Sequence, residues 1–234
     1  MNMQFNRRPV YSLPRDIKIG GIEASVVDPH NEALFAWFRL ETLPAVLVHI
    51  DKHSDMGDEA KSWNPSSSWT HYVFNSTNIA NFISPAILYM LVGAVYHFDP
   101  RKEFVRSFGR VDNRDLIKTP QVKEEDGKIF WAKPYMADSE RLSFTDFCCD
   151  LGNSKYPMIL DIDLDAFSCT DDRSENDSGI RERICLSLEL ITNIPKPSLI
   201  TIARSQTPQA YCPPERVDLL EGIVINNLNA CYKN

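Results

Sequence analysis

Two short stretches of this chain of 234 residues carry acidic and imidazole side chains at alternating positions. The first is His49-Ile50-Asp51-Lys52-His53-Ser54-Asp55, and the second is Asp161-Ile162-Asp163-Leu164-Asp165. Side chains two residues apart in an extended chain project to the same side. Asp51, His53 and Asp55 can therefore converge, with His49 on the same side, while Asp161, Asp163 and Asp165 share one face of an otherwise apolar strand. Gathered carboxylates raise one another's pKa values and destabilise a fold, whereas divalent ions neutralise them and take their oxygens as ligands. Carboxylates mixed with imidazoles suit manganese first, and also iron, cobalt or zinc; an all-oxygen site would favour magnesium or calcium. Two ions about 3.5 to 4 Å apart can hold a bridging water as hydroxide near neutral pH and clamp a tetrahedral intermediate. Hydrolysis is the reaction class this pattern predicts.

The elements around these stretches must bring them together. Ala45 to Ile50 is a nearly all-apolar run of the kind expected for a strand covered on both faces, with its polar residues starting at the C-terminal end. Met158 to Leu164 and Ser198 to Ala203 read the same way. Ile17 to Val27 forms two β-prone stretches about Gly20-Gly21, which predicts a hairpin. Asp28-Pro29-His30 then leads into a helix over Asn31 to Leu40 with Asp28 available as its cap, so His30 stands where a strand passes into a helix. Lys61 to Asn81 reads as a long loop bordering a site. Pro85 to Phe98 reads as a buried helix opened by Ser84-Pro85. Short strands are expected at Glu103 to Phe108 and Lys128 to Trp131, the latter after a charged turn at Glu124-Glu125-Asp126-Gly127. Ser178 to Thr192 is periodic at helical spacing, and Pro214 opens a closing amphipathic helix. Alternating strands and helices predict a single α/β domain over 1–234, three-layered, with a mostly parallel sheet flanked by helices and its site beyond the strand C-termini.

Composition narrows the function classes. With 43% hydrophobic and 24% charged residues the chain can bury a sizeable core. A net charge of −7 with dispersed lysines and arginines argues against nucleic acid and is compatible with a cationic substrate. No apolar run follows Arg7-Arg8 to act as a signal peptide, and Pro85 to Phe98 is too short to cross a bilayer. Six scattered cysteines form no CxxC pair, so neither zinc nor a disulfide framework is indicated and a cytoplasmic location fits best.

Taken together, the motifs resemble the arginase and deacetylase superfamily, in which an Asp-x-His-x-Asp strand end is paired with a later Asp-x-Asp strand end. Val26-Val27-Asp28-Pro29-His30-Asn31-Glu32-Ala33-Leu34, His49, Leu160-Asp161-Ile162-Asp163-Leu164-Asp165 and Ile200-Thr201-Ile202-Ala203-Arg204-Ser205 resemble one branch closely, the bacterial peptide arginases. The resemblance implies an arginase-like fold with two manganese ions per chain. Carried over by position, His30, Asp51, Asp55 and Asp163 would hold one ion; His53, Asp165 and the bridging Asp51 and Asp163 would hold the other. The implied activity converts arginine side chains of a ribosomally made precursor peptide to ornithine, releasing urea, through hydroxide attack on the guanidinium carbon. Two positions depart from the wider family. Phe167-Ser168 replaces an Asp-Pro, and Arg204-Ser205-Gln206 stands where free-arginine enzymes place a guanidinium-gripping glutamate.

Other residues admit two readings. His49 is a candidate for substrate contact or for support of the ligands, against plain burial. His71 is a candidate proton shuttle, against an exposed loop histidine. Asp161 reads as support for the ligands, His97 as structural, Trp63 and Trp69 as anchors of their loop, and Cys148-Cys149 as packing. Two other functions remain open, a hydrolase of agmatine or another small guanidino or amide compound, and a non-catalytic binder of arginine-bearing peptides. The sequence leaves the oligomeric state open.

Overall fold

A computed structural model describes residues 14–57, 59–61, 63–64, 66–102, 104–108, 122–125, 128–131, 140–172 and 176–233. The N-terminal arginine pair, Glu103 and the Asp126-Gly127 turn lie outside these residues.

β1 (Arg15–Ile19) and β2 (Ile22–Val27) form the expected antiparallel hairpin. Its turn residues, Gly20 and Gly21, have φ of 55° and 81°, which only glycine adopts without cost. A 3-10 turn (His30–Glu32) and the short α1 (Ala33–Trp37) follow, in place of one longer helix. Asp28 does not cap this segment. Its carboxylate instead accepts the backbone N–H groups of Gln206 at 3.1 Å and Thr207 at 2.9 Å, tying the start of the turn to a distant loop.

β3 (Ala45–Ile50) is buried at every position. The segment read as a loop ends a short strand, β4 (Glu59–Lys61), and contains α2 (Trp69–Ser76), whose N-terminus Ser68 caps by accepting from the His71 N–H. Aromatic and β-branched residues disguise this helix in the sequence. The apolar run at 85–98 also divides differently. α3 (Ile83–Leu88) ends before Met90, which turns the chain at φ 59°, and β5 (Val92–Phe98) follows. Hydrophobicity alone cannot separate a buried helix from a buried strand; Val92, Val95, Tyr96 and Phe98 are the strand formers.

β6 (Val105–Phe108), β7 (Val122–Glu125), β8 (Lys128–Trp131), β9 (Glu140–Leu142), α4 (Phe144–Gly152), β10 (Met158–Asp163), α5 (Asp177–Thr192), β11 (Leu199–Ala203) and α6 (Val217–Tyr232) complete the order. Asn176 caps α5 through its side chain, and α6 starts three residues beyond Pro214.

Eight strands form one mixed sheet in the order β1-β2-β11-β10-β3-β5-β6-β9. The centre, β2 to β5, is parallel, and both edges are antiparallel. The sheet is thus less uniformly parallel than expected, because the hairpin at one edge and the β5-β6-β9 meander at the other need no crossover. β4, β8 and β7 make a separate small sheet. Alternate residues of β3 enter two apolar clusters. Val46, Val48 and Ile50 meet Ile184 of α5 and Leu220 and Val224 of α6, while Ala45 and Leu47 join Leu34 and Trp37 of α1, Tyr72 of α2 and Ile83 of α3. Among the described residues no helix is long and apolar enough to cross a membrane.

Candidate metal centre

β3 and β10 are neighbours in the parallel centre, with Ile162 opposite Ile50, so Asp51 and Asp163 emerge side by side at the same sheet edge. Both strands stop by the same local device. The Asp51 Oδ1 accepts the backbone N–H of His53 at 2.6 Å, and the Asp163 Oδ1 accepts that of Asp165 at 2.9 Å. Each is an Asx-type turn, in which a short acidic side chain bends its own backbone two residues on. The turns leave both Oδ2 atoms facing inward and swing His53 and Asp165 toward them. Asp55 sits at φ 51° and closes the loop from the far side.

His30 arrives from the 3-10 turn after β2, its ring packed on Phe82 at 4.7 Å between centroids. Its Nδ1 lies 3.0 Å from Asp163 Oδ2, 3.2 Å from Asp55 Oδ2 and 3.5 Å from Asp51 Oδ2. The His53 Nδ1 lies 3.1 Å from Asp165 Oδ2 and 3.6 Å from Asp51 Oδ1. Ligand atoms set at right angles about 2.1 Å from one ion are themselves about 3 Å apart, so both sets have the spacing of a coordination shell. Asp51 offers one oxygen to each set. The convergent groups include His30 with Asp51 and Asp163, Asp51 with His53 and Asp165, and His49 with Asp51 and Asp55.

Burial tests whether ions fit here. Asp51 is fully buried and Asp165 nearly so. His30 Nδ1, His49 Nε2, Asp51 Oδ2 and Asp165 Oδ1 are buried without a hydrogen-bond partner. Four such atoms in one cluster, with His30 Nδ1 and His49 Nε2 both within 3.5 Å of Asp51 Oδ2, would be costly unless a cation lay among them. Burial, then the charges of Asp165, Asp55 and Asp163, hold the Asp51 carboxyl well above the usual range. Burial and Asp163 likewise raise Asp165. Burial alone would depress His30, but Asp161 and Asp163 outweigh it and hold the imidazole high; hydrogen bonding to Asp165 raises His53. These residues therefore make a site able to hold metal.

A cavity of about 410 Å³ opens onto this cluster, lined by His30, His53, Asp55, Asp163 and Asp165 together with Ser54, Met56, Gly57, Ile79, Ala80, Ser205 and Tyr211. Six predicted ligands, His30, Asp51, His53, Asp55, Asp163 and Asp165, are thus brought together, with Asp163 in the His30 set. His49 also joins the cluster but from beneath, fully buried. His71 does not join it. It is exposed on α2, near Asn75, and lines no part of the cavity.

Several supporting residues escaped the sequence reading. Ser205, at φ 53° just past β11, donates its hydroxyl to Asp163 Oδ2. The Tyr211 ring meets His53 edge-on at 5.7 Å. Arg101 donates to the carbonyls of Ala166 at 2.8 Å and Asp165 at 3.3 Å, clamping the second turn. His97, by contrast, was read as structural and has such a role, though on β5 rather than a helix: it donates its Nε2–H to the Asp51 carbonyl at 2.9 Å, and burial, then His49, lower its pKa to about 3. Polar residues just past apolar strands were the only available signal. Glu32, enclosed two residues after His30, is pushed up to about 8 by burial and then by the charge of Asp28. No family model matches the chain.

Proposed function

We propose that this chain is a peptide arginase, a hydrolase with two manganese ions in an arginase-like three-layer domain, converting arginine side chains of a precursor peptide to ornithine and urea. The observation that carries this reading is a cluster of unpartnered, buried imidazole and carboxylate atoms beneath the floor of a cavity lined by His30, His53, Asp55, Asp163 and Asp165. His30, Asp51, Asp55 and Asp163 would hold one ion and His53, Asp51 and Asp165 the other, with Asp163 shared. Bound ions supply an activated water as nucleophile and positive charge for the transition state.

The chain's own residues shape what can be presented to them. Met56, Ile79, Ala80 and the Tyr211 ring offer an apolar sleeve to a methylene stem, while the acidic floor suits a cationic guanidinium. Among the described residues lining the cavity there is no lysine or arginine to hold a free α-carboxylate. This favours an arginine whose carboxyl group is tied up in a peptide bond over free arginine.

The test is mass spectrometry of arginine-containing peptides incubated with manganese-loaded protein, with urea assayed in parallel. Loss of one CN2H2 unit per modified arginine and stoichiometric urea are expected, with free arginine and agmatine poor substrates. Preference for agmatine would move the assignment to a small-molecule ureohydrolase. A fully loaded protein that releases no urea from any guanidino compound would reject hydrolysis.

A further inference from the structure

One residue level beneath the convergent carboxylates, the parallel strands carry a second polar row. Ser25, Thr201, Asp161, His49 and His97 stand in register across β2, β11, β10, β3 and β5, and all are buried. Such positions are ordinarily apolar. Asp161 is the hub. Its Oδ1 accepts the Thr201 hydroxyl, which in turn accepts the Trp37 indole N–H at 3.2 Å. Its Oδ2 faces two imidazoles at once, His30 Nε2 at 2.9 Å and His49 Nδ1 at 2.8 Å.

An ionised carboxylate can only accept, so both of those nitrogens must carry hydrogen. The other nitrogen of each ring is then the one turned toward the ion site: His30 Nδ1 toward Asp163, Asp55 and Asp51, and His49 Nε2 toward Asp51 Oδ2 at 3.4 Å. His49 lies between the rings of His30 and His97, at 5.6 Å and 5.4 Å, and lines no part of the cavity. It can neither reach a substrate nor pass a proton to water.

We infer that Asp161 is the positioning residue that makes His30 bind metal through Nδ1, and that His49 is a positioning residue acting through Asp161, whose Oδ2 it pins beneath the His30 ring. This inference rests on the reading of the cluster as a metal centre, not on the substrate. Replacing the charged Asp161 carboxylate by a neutral amide, which has one accepting oxygen for three donors, weakens ion binding by about 10- to 100-fold, as loss of an outer partner of a metal-bound histidine does. The two amide replacements of His49 separate its contacts. Asparagine keeps a donor near the Nδ1 position, facing Asp161. Glutamine instead places its amide near Nε2, facing Asp51.

The experiment combines ring-nitrogen NMR of the zinc-loaded protein with manganese binding by equilibrium dialysis on the wild type, Asp161→Asn, His49→Asn and His49→Gln. Expected are a metal-bound Nδ1 and protonated Nε2 for His30, a protonated Nδ1 for His49, and binding weakened about 10- to 100-fold in Asp161→Asn and about tenfold in His49→Gln, with His49→Asn closest to the wild type. A His30 bound through Nε2, unchanged binding in Asp161→Asn, or His49→Gln outperforming His49→Asn would overturn the inference. If the wild type binds no divalent ion, the metal-centre reading fails; the same spectra at alkaline pH, with neutral imidazoles, still decide the tautomers. Asp161→Glu tests for misfolding, since a carboxylate that restores the His30 signal shows that the acceptor, not bulk, is responsible.

Discussion

The two polar layers on this sheet differ by two residues along the same strands and behave in opposite ways. In the inner row, Asp161 is fully buried, yet His30 and His49 overcome the effect of burial and hold its pKa well below the ordinary range. In the outer ring Asp51, equally buried, is held well above it, first by that burial and then by the charges of Asp165, Asp55 and Asp163. The residue type is the same and the burial is the same. What differs is who supplies hydrogen and positive charge: the protein does so for Asp161, while the outer ring leaves buried atoms open toward one another. The inner row gives Asp161 its partners from within the protein, and the outer ring is the part of the cluster able to take cations.

The sharpest way to break this comparison is Asp51→Asn. It removes the carboxylate common to both coordination sets, so manganese binding should fall by more than the roughly 10- to 100-fold of an outer-partner loss. The metal-free variant should nevertheless melt higher than the metal-free wild type, because a crowded buried acid has been neutralised. Manganese at 100 times its Kd should stabilise the wild type by about 2.7 kcal/mol, about 5–10 °C in Tm for a chain of this size, and leave the variant's Tm nearly unchanged. Calorimetry with and without chelator checks all three statements; a variant less stable than the wild type without metal would show that the ring already satisfies itself.

Thr201→Val asks the converse of the inner row. It leaves the Trp37 N–H and one Asp161 oxygen without their partner, so a loss of about 1–3 kcal/mol is expected by denaturant unfolding even without metal. A neutral result would mean the row is not a closed network.

Glu32 is an intermediate case, a carboxyl enclosed beside Asp28 with its pKa near 8. The folded state holds this proton more tightly than the unfolded chain does. The contribution of Glu32 to stability is therefore most favourable at low pH and is lost as pH rises from about 4.5 to about 8. Glu32→Gln should remove that loss, so its advantage over the wild type should grow through this window and level off above it. Parallel unfolding curves at every pH would refute the assignment.

The smallest effect is expected of His71→Ala, on the exposed face of α2. Metal content should be unchanged and stability should move by no more than about 0.5 kcal/mol. Turnover decides its remaining role, since only a proton shuttle would lose rate with both ions in place.

Much of the site was legible in the sequence because it is local. The spacing of Asp51 with His53 and of Asp163 with Asp165 encodes each Asx-type turn within three residues, and the apolar runs before them announce buried parallel strands. The hairpin at one edge of the sheet was announced by Gly20-Gly21, but the division of 85–98 into helix and strand was not legible, because uniform hydrophobicity has no period to read.

What the sequence by itself determined is therefore the two strand ends and the acidic and imidazole groups they carry, since these depend on contacts between near neighbours. The tertiary structure alone decided that His30 is directed by a carboxylate 131 positions away, that Ser205 reaches Asp163, and that His71 stays in solvent. Such pairings arise from strand order and register, and register is set by the packing of whole faces rather than by any single motif.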